Sequence, residues 1–302
     1  MFKLRVKDTW KIIKMSVDEW WEKDPFRESA IIAYYAIFSL PALLVIIIAV
    51  AGFMFGREAV SGEVSNQIGA MIGPDSADSV EKMIAEAGST KDSIWATIIG
   101  VITIIIGATG VFVQLQKSLN MIWEVKVVET KQKFWPLIKT RLFSFGLILT
   151  IAFLLLISLV ISSILSVMSG WVKAHWPDVF LVVFEAANFL ISFAVISVLF
   201  AMMFKFLPDA KVKWKHVWLG AIFTSLLFTI GKTLIGLYFG KADPGSAYGA
   251  AGSVVLLLLW VSYSSMILFL GAEFTRANAN FYDGEVKPDK LAVKAEVRGK
   301  DA

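Results

Sequence analysis

Residues 29–55 read SAIIAYYAIFSLPALLVIIIAVAGFMF and contain no charged side chain. A helix that crosses the hydrocarbon core of a bilayer needs about 20 predominantly apolar residues, because each residue adds about 1.5 Å. The stretch exceeds that length, so we predict a membrane-spanning helix over 29–55. Pro41 lies in its middle, where it removes a backbone hydrogen bond and is expected to kink the helix.

Five further stretches have the same character. They cover residues 93–116, 142–172, 179–204, 217–240 and 246–272. The chain is 57% hydrophobic and 18% charged, with a mean hydropathy of +0.69. Soluble domains are about 45–50% apolar, so the chain is more apolar than that class. We predict an all-α integral membrane protein with six transmembrane helices.

Lys and Arg are distributed unequally between the two sides of these spans. The segments on the side of the N-terminus hold 23 of the 29 basic residues, and those on the other side hold 5. Because basic loops remain on the cytoplasmic side of the membrane, we expect both termini to be cytoplasmic. The even number of predicted spans agrees with this orientation.

Residues 57–92 and 8–23 have helical patterns outside the spans. Apolar residues fall on one helical face before Gly73-Pro74 and again after it, which predicts a small extracytoplasmic helical hairpin. This hairpin either caps the bundle or gates a substrate or partner. Residues 8–23 predict an amphipathic helix that lies in the membrane interface or packs under the bundle. Its apolar face would hold Trp10, Ile13, Val17, Trp20 and Trp21.

The tail that begins at residue 281 has few large apolar residues and balanced charge, so we expect it to be disordered. The predicted organisation therefore has three parts. They are a cytoplasmic interfacial helix over 1–28, a six-helix transmembrane domain with its hairpin over 29–280, and a disordered cytoplasmic tail over 281–302.

The residue inventory argues against several classes of site. The chain has no cysteine and two histidines, His175 and His216, so we expect no metal ion or other cofactor. The sequence contains no Gly-Lys phosphate loop, no Ser nucleophile elbow and no His-Glu-x-x-His pair, so we expect no enzymatic activity. The basic loop 126–141 fits anionic lipid better than RNA, and we expect no nucleic-acid partner.

Two charged residues lie inside predicted spans. Glu185 is about 9 Å from the outer end of the fourth span, and Lys232 is about 12 Å from the outer end of the fifth. Opposite charges at similar depth suggest an ion pair or a shared polar cavity. Three roles remain open, namely a pair that fixes helix register, side chains that reach the outer headgroups, and a substrate or proton site.

Small residues recur at four-residue spacing in the second, fifth and sixth spans, where they let helix backbones approach closely. An alternative is that Gly-rich helix ends are hinges or unwound substrate sites. The glycines that we single out are Gly107, Gly110, Gly236, Gly249 and Gly252.

Polar residues inside the spans complete the set of candidates. Hydrogen bonds between helices explain them, and so does a polar path for a substrate; the spacing fits both. The residues are Tyr34, Tyr35, Ser39 and Pro41 in the first span, Gln116 and Asn120 at the end of the second, and Tyr248 and Tyr263 in the sixth.

Several dispersed motifs occur in a recognisable order. They are Ala33-Tyr34-Tyr35-x-x-Phe38-Ser39-Leu40-Pro41, Gly107-Ala108-Thr109-Gly110-Val111-Phe112, Leu115-Gln116, Leu119-Asn120, Ile122-Trp123, Leu207-Pro208-Asp209-Ala210, Gly220-Ala221, Gly231-Lys232, Tyr248-Gly249-Ala250, Leu259-Trp260 and Leu270-Gly271-Ala272-Glu273. Over residues 20–280 this order resembles the YihY/virulence factor BrkB family, formerly labelled ribonuclease BN. A small departure follows Trp260, where the family often has a further aromatic residue.

The resemblance implies a bacterial inner-membrane protein with six spans, in a family linked with serum resistance and lipid export. Lys232 matches a lysine often seen in the family's fifth span, whereas Glu185 belongs to no family motif. We therefore expect a transporter or flippase-like carrier of a lipid or an amphiphilic anionic solute. The expected partners are membrane lipids and, in a homo-oligomer, other copies of the chain. A non-transporting envelope scaffold is the alternative, and the missing acid–base and metal groups argue against a membrane ribonuclease.

Overall fold

The computed structural model describes residues 6–73, 77–78, 81–82, 110–127, 178–242, 244–289 and 292–295. The longer helices in these ranges are α1 (Val6–Glu22), α2 (Pro25–Phe55), α3 (Arg57–Ile72), α4 (110–122), α5 (Asp178–Phe206), α6 (Trp214–Ala242) and α7 (Gly252–Asp283). A 3₁₀ segment, Ser246–Ala251, precedes α7. Two short strands, β1 (Val125–Val127) and β2 (Ala292–Lys294), pair in antiparallel register.

Three of these helices are long and apolar enough to cross a membrane. They are Ala186–Phe206 within α5, the whole of α6 and the whole of α7. Apolar helices therefore lie where the sequence predicts the last three spans, although the sixth begins with the 3₁₀ segment and its helix runs past residue 272. Helix α2 contains the first predicted span and continues through position 41 over its 31 residues.

The other predicted spans and the hairpin fall mostly on residues that the structure does not describe. The structure describes only residues 110–116 of the second predicted span, 93–116, and these are helical. The third predicted span, 142–172, lies outside the described residues. The first half of the predicted hairpin is helix α3, whose Val60 is buried against Ile48 of α2. Gly56 joins α2 to α3 at a φ of 89°, which glycine adopts without strain. The count of six spans stays a prediction.

Helices α6 and α7 touch through two reciprocal glycine–threonine contacts. A Cβ added at Gly220 would lie 1.8 Å from Thr275 Oγ1, and one added at Gly271 would lie 1.8 Å from Thr224 Oγ1. Each threonine hydroxyl donates to the carbonyl of the glycine four residues earlier in its own helix, over 2.7 Å. The buried hydroxyls are therefore satisfied within their own helices, and glycine lets the two backbones come together.

The largest buried cluster lies at one end of the bundle. It joins the start of α2, the end of α4, the end of α5, the start of α6 and the end of α7, through residues such as Ile32, Leu119, Phe204, Val217 and Phe269. We call this end the inner half, because it contains the helix ends that the sequence predicts to be cytoplasmic. In the opposite half, α6 has no buried residue from position 232 to 242.

Helix α1 packs along the end of α7, and the residues of its predicted apolar face divide between a packed and an exposed side. Ile12 and Ser16 are buried, and the Ser16 hydroxyl donates to the Ile12 carbonyl over 2.7 Å. Several residues of the predicted apolar face point away from the bundle instead. These exposed residues are Trp10, Val17 and Trp21. One side of α1 is therefore packed, and its placement in the membrane interface stays a prediction.

Residues 281–289 and 292–295 of the predicted tail 281–302 have regular structure, which corrects the prediction of disorder for these residues; residues 290–291 are not described. Helix α7 continues to Asp283, Pro288 forms a β-bridge with Ala210, and β2 pairs with β1. Lys294 donates to Glu285 over 2.7 Å, and this hydrogen bond lowers the pKa of the Glu285 carboxyl. The prediction failed because a three-residue strand forms against a distant partner, and local composition does not encode that pairing. Residues 296–302 lie outside the described residues.

We expect Gly271→Ala to lower the Tm of the detergent-purified protein, because the new methyl group would overlap Thr224. Overpacking of this kind costs about 1–3 kcal/mol. Differential scanning fluorimetry measures the change.

Gly236→Ala is the matched control for this variant, because no described atom lies within 4 Å of a Cβ added there. The control should keep or raise the Tm, since alanine favours helix more than glycine does. Equal losses in both variants would contradict the close contact. Adding Thr224→Ala to Gly271→Ala removes the 1.8 Å overlap and should recover part of the loss.

Candidate functional site

Lys232 lies on an exposed part of α6, directly after a close helix contact. A Cβ added at Gly231 would lie 2.7 Å from the Tyr263 hydroxyl and 2.7 Å from Ile267 Cδ1. Lys232 itself is exposed, and no ion pair within the described residues involves it. Its predicted partner Glu185 belongs to α5, but the Glu185 side chain lies outside the described residues. The Glu185–Lys232 pair therefore stays a prediction.

An unbroken exposed apolar ridge runs along α6. Its residues are four positions apart and each is between 42% and 58% exposed, namely Trp214, Trp218, Ile222, Leu226, Ile230, Leu234 and Tyr238. Trp218 and Tyr238 are 20 residues apart, which is about 30 Å along a helix and matches the hydrocarbon core of a bilayer. The ridge winds around the helix, and exposed apolar residues with aromatic residues near both ends are typical of a helix in contact with lipid.

The predicted small-residue positions have different environments. Gly110 packs closely, since a Cβ added there would lie 3.2 Å from Ser39 Oγ and 3.7 Å from Tyr35 Cδ1. Gly252 also packs closely, because its Cβ would lie 2.4 Å from the Gly245 carbonyl oxygen. Gly107 lies outside the described residues.

Two further glycines of that set have open surroundings among the described residues. No described atom lies within 4 Å of a Cβ added at Gly236 or Gly249, so their role in packing or as hinges stays a prediction. Gly249 has a φ of 52° and a ψ of −127°, a conformation outside the helical region. This backbone break agrees with the alternative that the entry to the sixth span is unwound.

The polar candidates of the spans do not form one cluster. Ser39 is buried beside Gly110, whereas Tyr34 and Tyr248 are 60% and 59% exposed. Nothing is described of the Pro41 side chain. Tyr263 lies beside Gly231, the residue before Lys232. The structure therefore brings Tyr35 and Ser39 together at α4, and Tyr263 to α6.

Gln116 and Asn120 bind an aspartate of the inner half. Gln116 Nε2 and Asn120 Nδ2 both donate to Asp209 Oδ2, over 3.2 Å and 2.7 Å. The Asp209 backbone N–H donates in return to Asn120 Oδ1 over 2.8 Å. These bonds tie the end of α4 to the α5–α6 connection. Gln116 and Asn120 thus act as hydrogen-bonding links between helices, which was one of their two predicted roles.

A cluster of charged side chains surrounds the end of α7, and we call it the inner ionic cluster. Glu273 is fully buried and pairs with Lys23 Nζ at 2.6 Å and with Arg276 Nε at 3.1 Å. The Arg276 guanidinium also donates to Glu19 of α1 and to Glu124 beside β1. Three segments are therefore held by one guanidinium. In the sequence Glu273 ends a motif, but no local pattern predicts a role for Arg276.

A small cleft adjoins this cluster. Its polar lining is Lys23, Glu28, Ser118 and Glu273, and Ser118 Oγ donates to Glu28 Oε2 over 3.0 Å. The cleft has room for about one water molecule and is too small for an organic substrate. Within the described residues, no group of three or more His, Asp or Glu side chains is placed to hold a metal ion. The inner half is thus built to hold helices together.

We expect Arg276→Met to destabilise the protein strongly, because it leaves the buried Glu273 with Lys23 alone and leaves Glu19 and Glu124 without their shared partner. Removing one member of a buried ion pair costs about 3–5 kcal/mol. Tm and resistance to proteolysis in detergent measure the loss.

Lys294→Met is the control, since it removes the exposed pair with Glu285 and should change the Tm little. Adding Glu273→Gln to Arg276→Met removes one buried charge and should recover stability in part. An Arg276→Met protein as stable as the wild type would show that the cluster carries no structural role.

Comparisons with known proteins agree with the sequence resemblance. The family model described as virulence factor BrkB matches residues 16–296. A UPF0761 membrane protein of Pseudoalteromonas atlantica is 24% identical over 268 residues, which are 87% of this chain and 84% of that protein. One of Stenotrophomonas maltophilia strain R551-3 is 26% identical over 85% of this chain and 58% of its own length. A UPF0761 membrane protein of Verminephrobacter eiseniae is 28% identical over 58% of this chain and 40% of its own length.

In the last two relatives the match spans less than two thirds of the relative's own length. No solved structure matches the chain. The names of these relatives describe membrane proteins and indicate no catalytic activity. Because the family model covers nearly the whole chain, the chain belongs to the virulence factor BrkB family.

Proposed function

We propose that this chain is a multi-pass protein of the bacterial inner membrane that carries a lipid or an amphiphilic anionic solute across it. The observation that carries the proposal is Lys232. It is exposed on a helix apolar enough to span the membrane, and no ion pair within the described residues involves it. A lysine at membrane depth is costly, and such residues commonly mark substrate or ion pathways.

The surroundings of Lys232 favour a ligand with one anionic group and an apolar body. Lys232 is six residues, or about 9 Å, before the aromatic end of the ridge at Tyr238. The ridge offers apolar surface along the same helix, and from position 232 onward α6 has no buried residue. An acyl chain would lie against this exposed apolar end of α6, and the ammonium would neutralise the headgroup.

A second candidate function is a scaffold that moves no substrate. The observation in its favour is the interlocked inner half, where two glycine–threonine contacts and the inner ionic cluster join the helices. Such contacts resist relative movement of α6 and α7. In this alternative Lys232 reaches the headgroups of the surrounding lipid and binds nothing that is transported.

Lipid movement between leaflets tests the proposal directly. Purified protein is placed in liposomes that contain a fluorescent anionic phospholipid, and a membrane-impermeant quencher reports its appearance in the outer leaflet. We expect the wild type to move lipid and Lys232→Ala to be at least about tenfold slower, since the loss of an ion pair with the headgroup costs more than about 1.4 kcal/mol.

Lys241→Ala is the matched control, because Lys241 is also exposed and lies near the end of the same helix. It should move lipid at the wild-type rate, and Lys232→Arg should retain part of the activity. Movement by Lys232→Ala at the wild-type rate would exclude Lys232 as the site. A wild type that moves neither anionic nor zwitterionic lipid would favour the scaffold.

The absence of cysteine makes the proposed orientation testable. We expect a membrane-impermeant maleimide to label Asn66→Cys in spheroplasts, because α3 is predicted to lie outside the inner membrane. Lys287→Cys should be labelled only after the spheroplasts are lysed, because the tail is predicted to be cytoplasmic. Both positions are exposed, so access to the reagent differs by side and not by burial. Labelling of Lys287→Cys in intact spheroplasts, with Asn66→Cys labelled only after lysis, would show the opposite orientation.

A further inference from the structure

We propose that the corner between α5 and α6 is a binding site for an anionic phospholipid, in which Lys205 and the indoles of Trp214 and Trp218 hold the phosphate. The site lies in the inner half, at the opposite end of α6 from Lys232. It does not rest on the proposed transport function, because a lipid bound here need not move.

Three exposed aromatic rings line this corner. Phe206 ends α5, Trp214 begins α6, and Trp218 follows one turn later. The Phe206 and Trp214 ring centroids are 6.0 Å apart, and those of Trp214 and Trp218 are 6.4 Å apart. The rings are between 40% and 45% exposed, although the same two helix ends also carry residues of the buried core, such as Phe204 and Val217. They form a continuous aromatic surface that is open to the outside.

The depth of this surface follows from the ridge on α6. Trp214 and Trp218 are the first two residues of the ridge, and Tyr238 is the last. If the 20 residues from Trp218 to Tyr238 cross the hydrocarbon core of about 30 Å, then Trp218 lies at its boundary and Trp214 at headgroup level. Indoles favour this level because the ring contacts acyl chains while the N–H reaches polar headgroups.

Lys205 supplies the charge. Its Nζ lies 5.6 Å from the centroid of the Trp214 ring and donates to the Val212 carbonyl over 2.6 Å. An ammonium has three N–H donors, so further donors remain for a ligand. The other lysines of this connection pair with carboxylates, Lys213 and Lys215 with Asp283 and Lys211 with Asp289. Within the described residues Lys205 pairs with no carboxylate.

The indole nitrogens add donors to the same surface. Neither Trp214 nor Trp218 has a hydrogen-bond partner for its indole N–H among the described residues. An ammonium and two indole N–H groups lie next to exposed rings, and none of the three has an anionic partner in the described part of the chain. Such a group of donors suits a phosphodiester that enters from the bilayer. A zwitterionic lipid would bring its own cation and would gain less from Lys205.

Native mass spectrometry of the detergent-solubilised protein measures this binding. Wild type, Lys205→Gln and Lys241→Gln are titrated with phosphatidylglycerol and, separately, with phosphatidylcholine of the same acyl chains. We expect the wild type to bind phosphatidylglycerol more tightly than phosphatidylcholine. Lys205→Gln should weaken phosphatidylglycerol binding about fivefold and leave phosphatidylcholine binding unchanged, as expected for one lysine at an anionic surface.

Lys241→Gln removes an exposed lysine at the other end of α6 and should bind both lipids as the wild type does. Trp214→Phe keeps an aromatic ring without the indole N–H. Its affinity for phosphatidylglycerol should lie between those of the wild type and Lys205→Gln. Lys205→Arg should restore binding, which would show that the effect of Lys205→Gln is not due to loss of the Val212 hydrogen bond.

Equal binding of the two lipids by the wild type, or equal losses in the two Gln variants, would overturn the proposal. Displacement of the lipid by millimolar inorganic phosphate would mean that the site takes free phosphate instead.

Discussion

The complete burial of one polar stretch of α7 constrains the rest of the inner half. Every residue from Gly271 to Ala279 is buried, so this part of the helix has neighbours on all sides. Buried polar groups need partners, and burying an unpaired charge costs more than burying a neutral group. Arg276 and the Asn278 amide nitrogen find theirs in other segments, since Arg276 pairs with Glu19 and Glu124 and Asn278 Nδ2 bonds to His216 Nδ1 at 2.7 Å. The partners come from α1, the α4–β1 turn and α6, so these segments must meet at the end of α7.

The same stretch explains why packing differs between the two halves of the bundle. In the inner half, glycine at 220 and 271 brings α6 and α7 into backbone contact, and Phe223 stacks on Phe274 with ring centroids 4.1 Å apart. In the other half α6 has no buried residue beyond Gly231, and Gly249 breaks the helical path that leads into α7. A firmly joined base with a looser opposite end is compatible with a carrier that moves at one end, and equally with a rigid anchor.

Hydropathy predicted the apolar helices well, because a span is encoded by its own residues. The positions of α5 and α6 differ from the predicted spans by a few residues, and α2 contains the first span entirely. Contacts between distant segments were not predictable in this way. Nothing local in the sequence shows that Arg276 meets Glu19, or that β2 meets β1, because these pairs form when the chain folds. Gln116, Asn120 and Asp209 occur in separate sequence motifs, and their mutual hydrogen bonds could not be inferred without the fold.

The faces of helices were harder to predict than their positions. In α1 the sequence drew attention to tryptophan, but the buried side holds Ile12 and Ser16, whose hydroxyl is satisfied by the carbonyl one turn earlier. A serine that bonds to its own helix can be buried as readily as a small apolar residue, and a tryptophan beside a membrane can stay exposed because lipid is its solvent. The same reasoning applies to α6, where exposed Leu and Ile residues form a regular ridge. An exposed side chain at the depth of the hydrocarbon core contacts lipid and not water. A lysine at that depth needs a counter-ion, and no described residue forms an ion pair with Lys232.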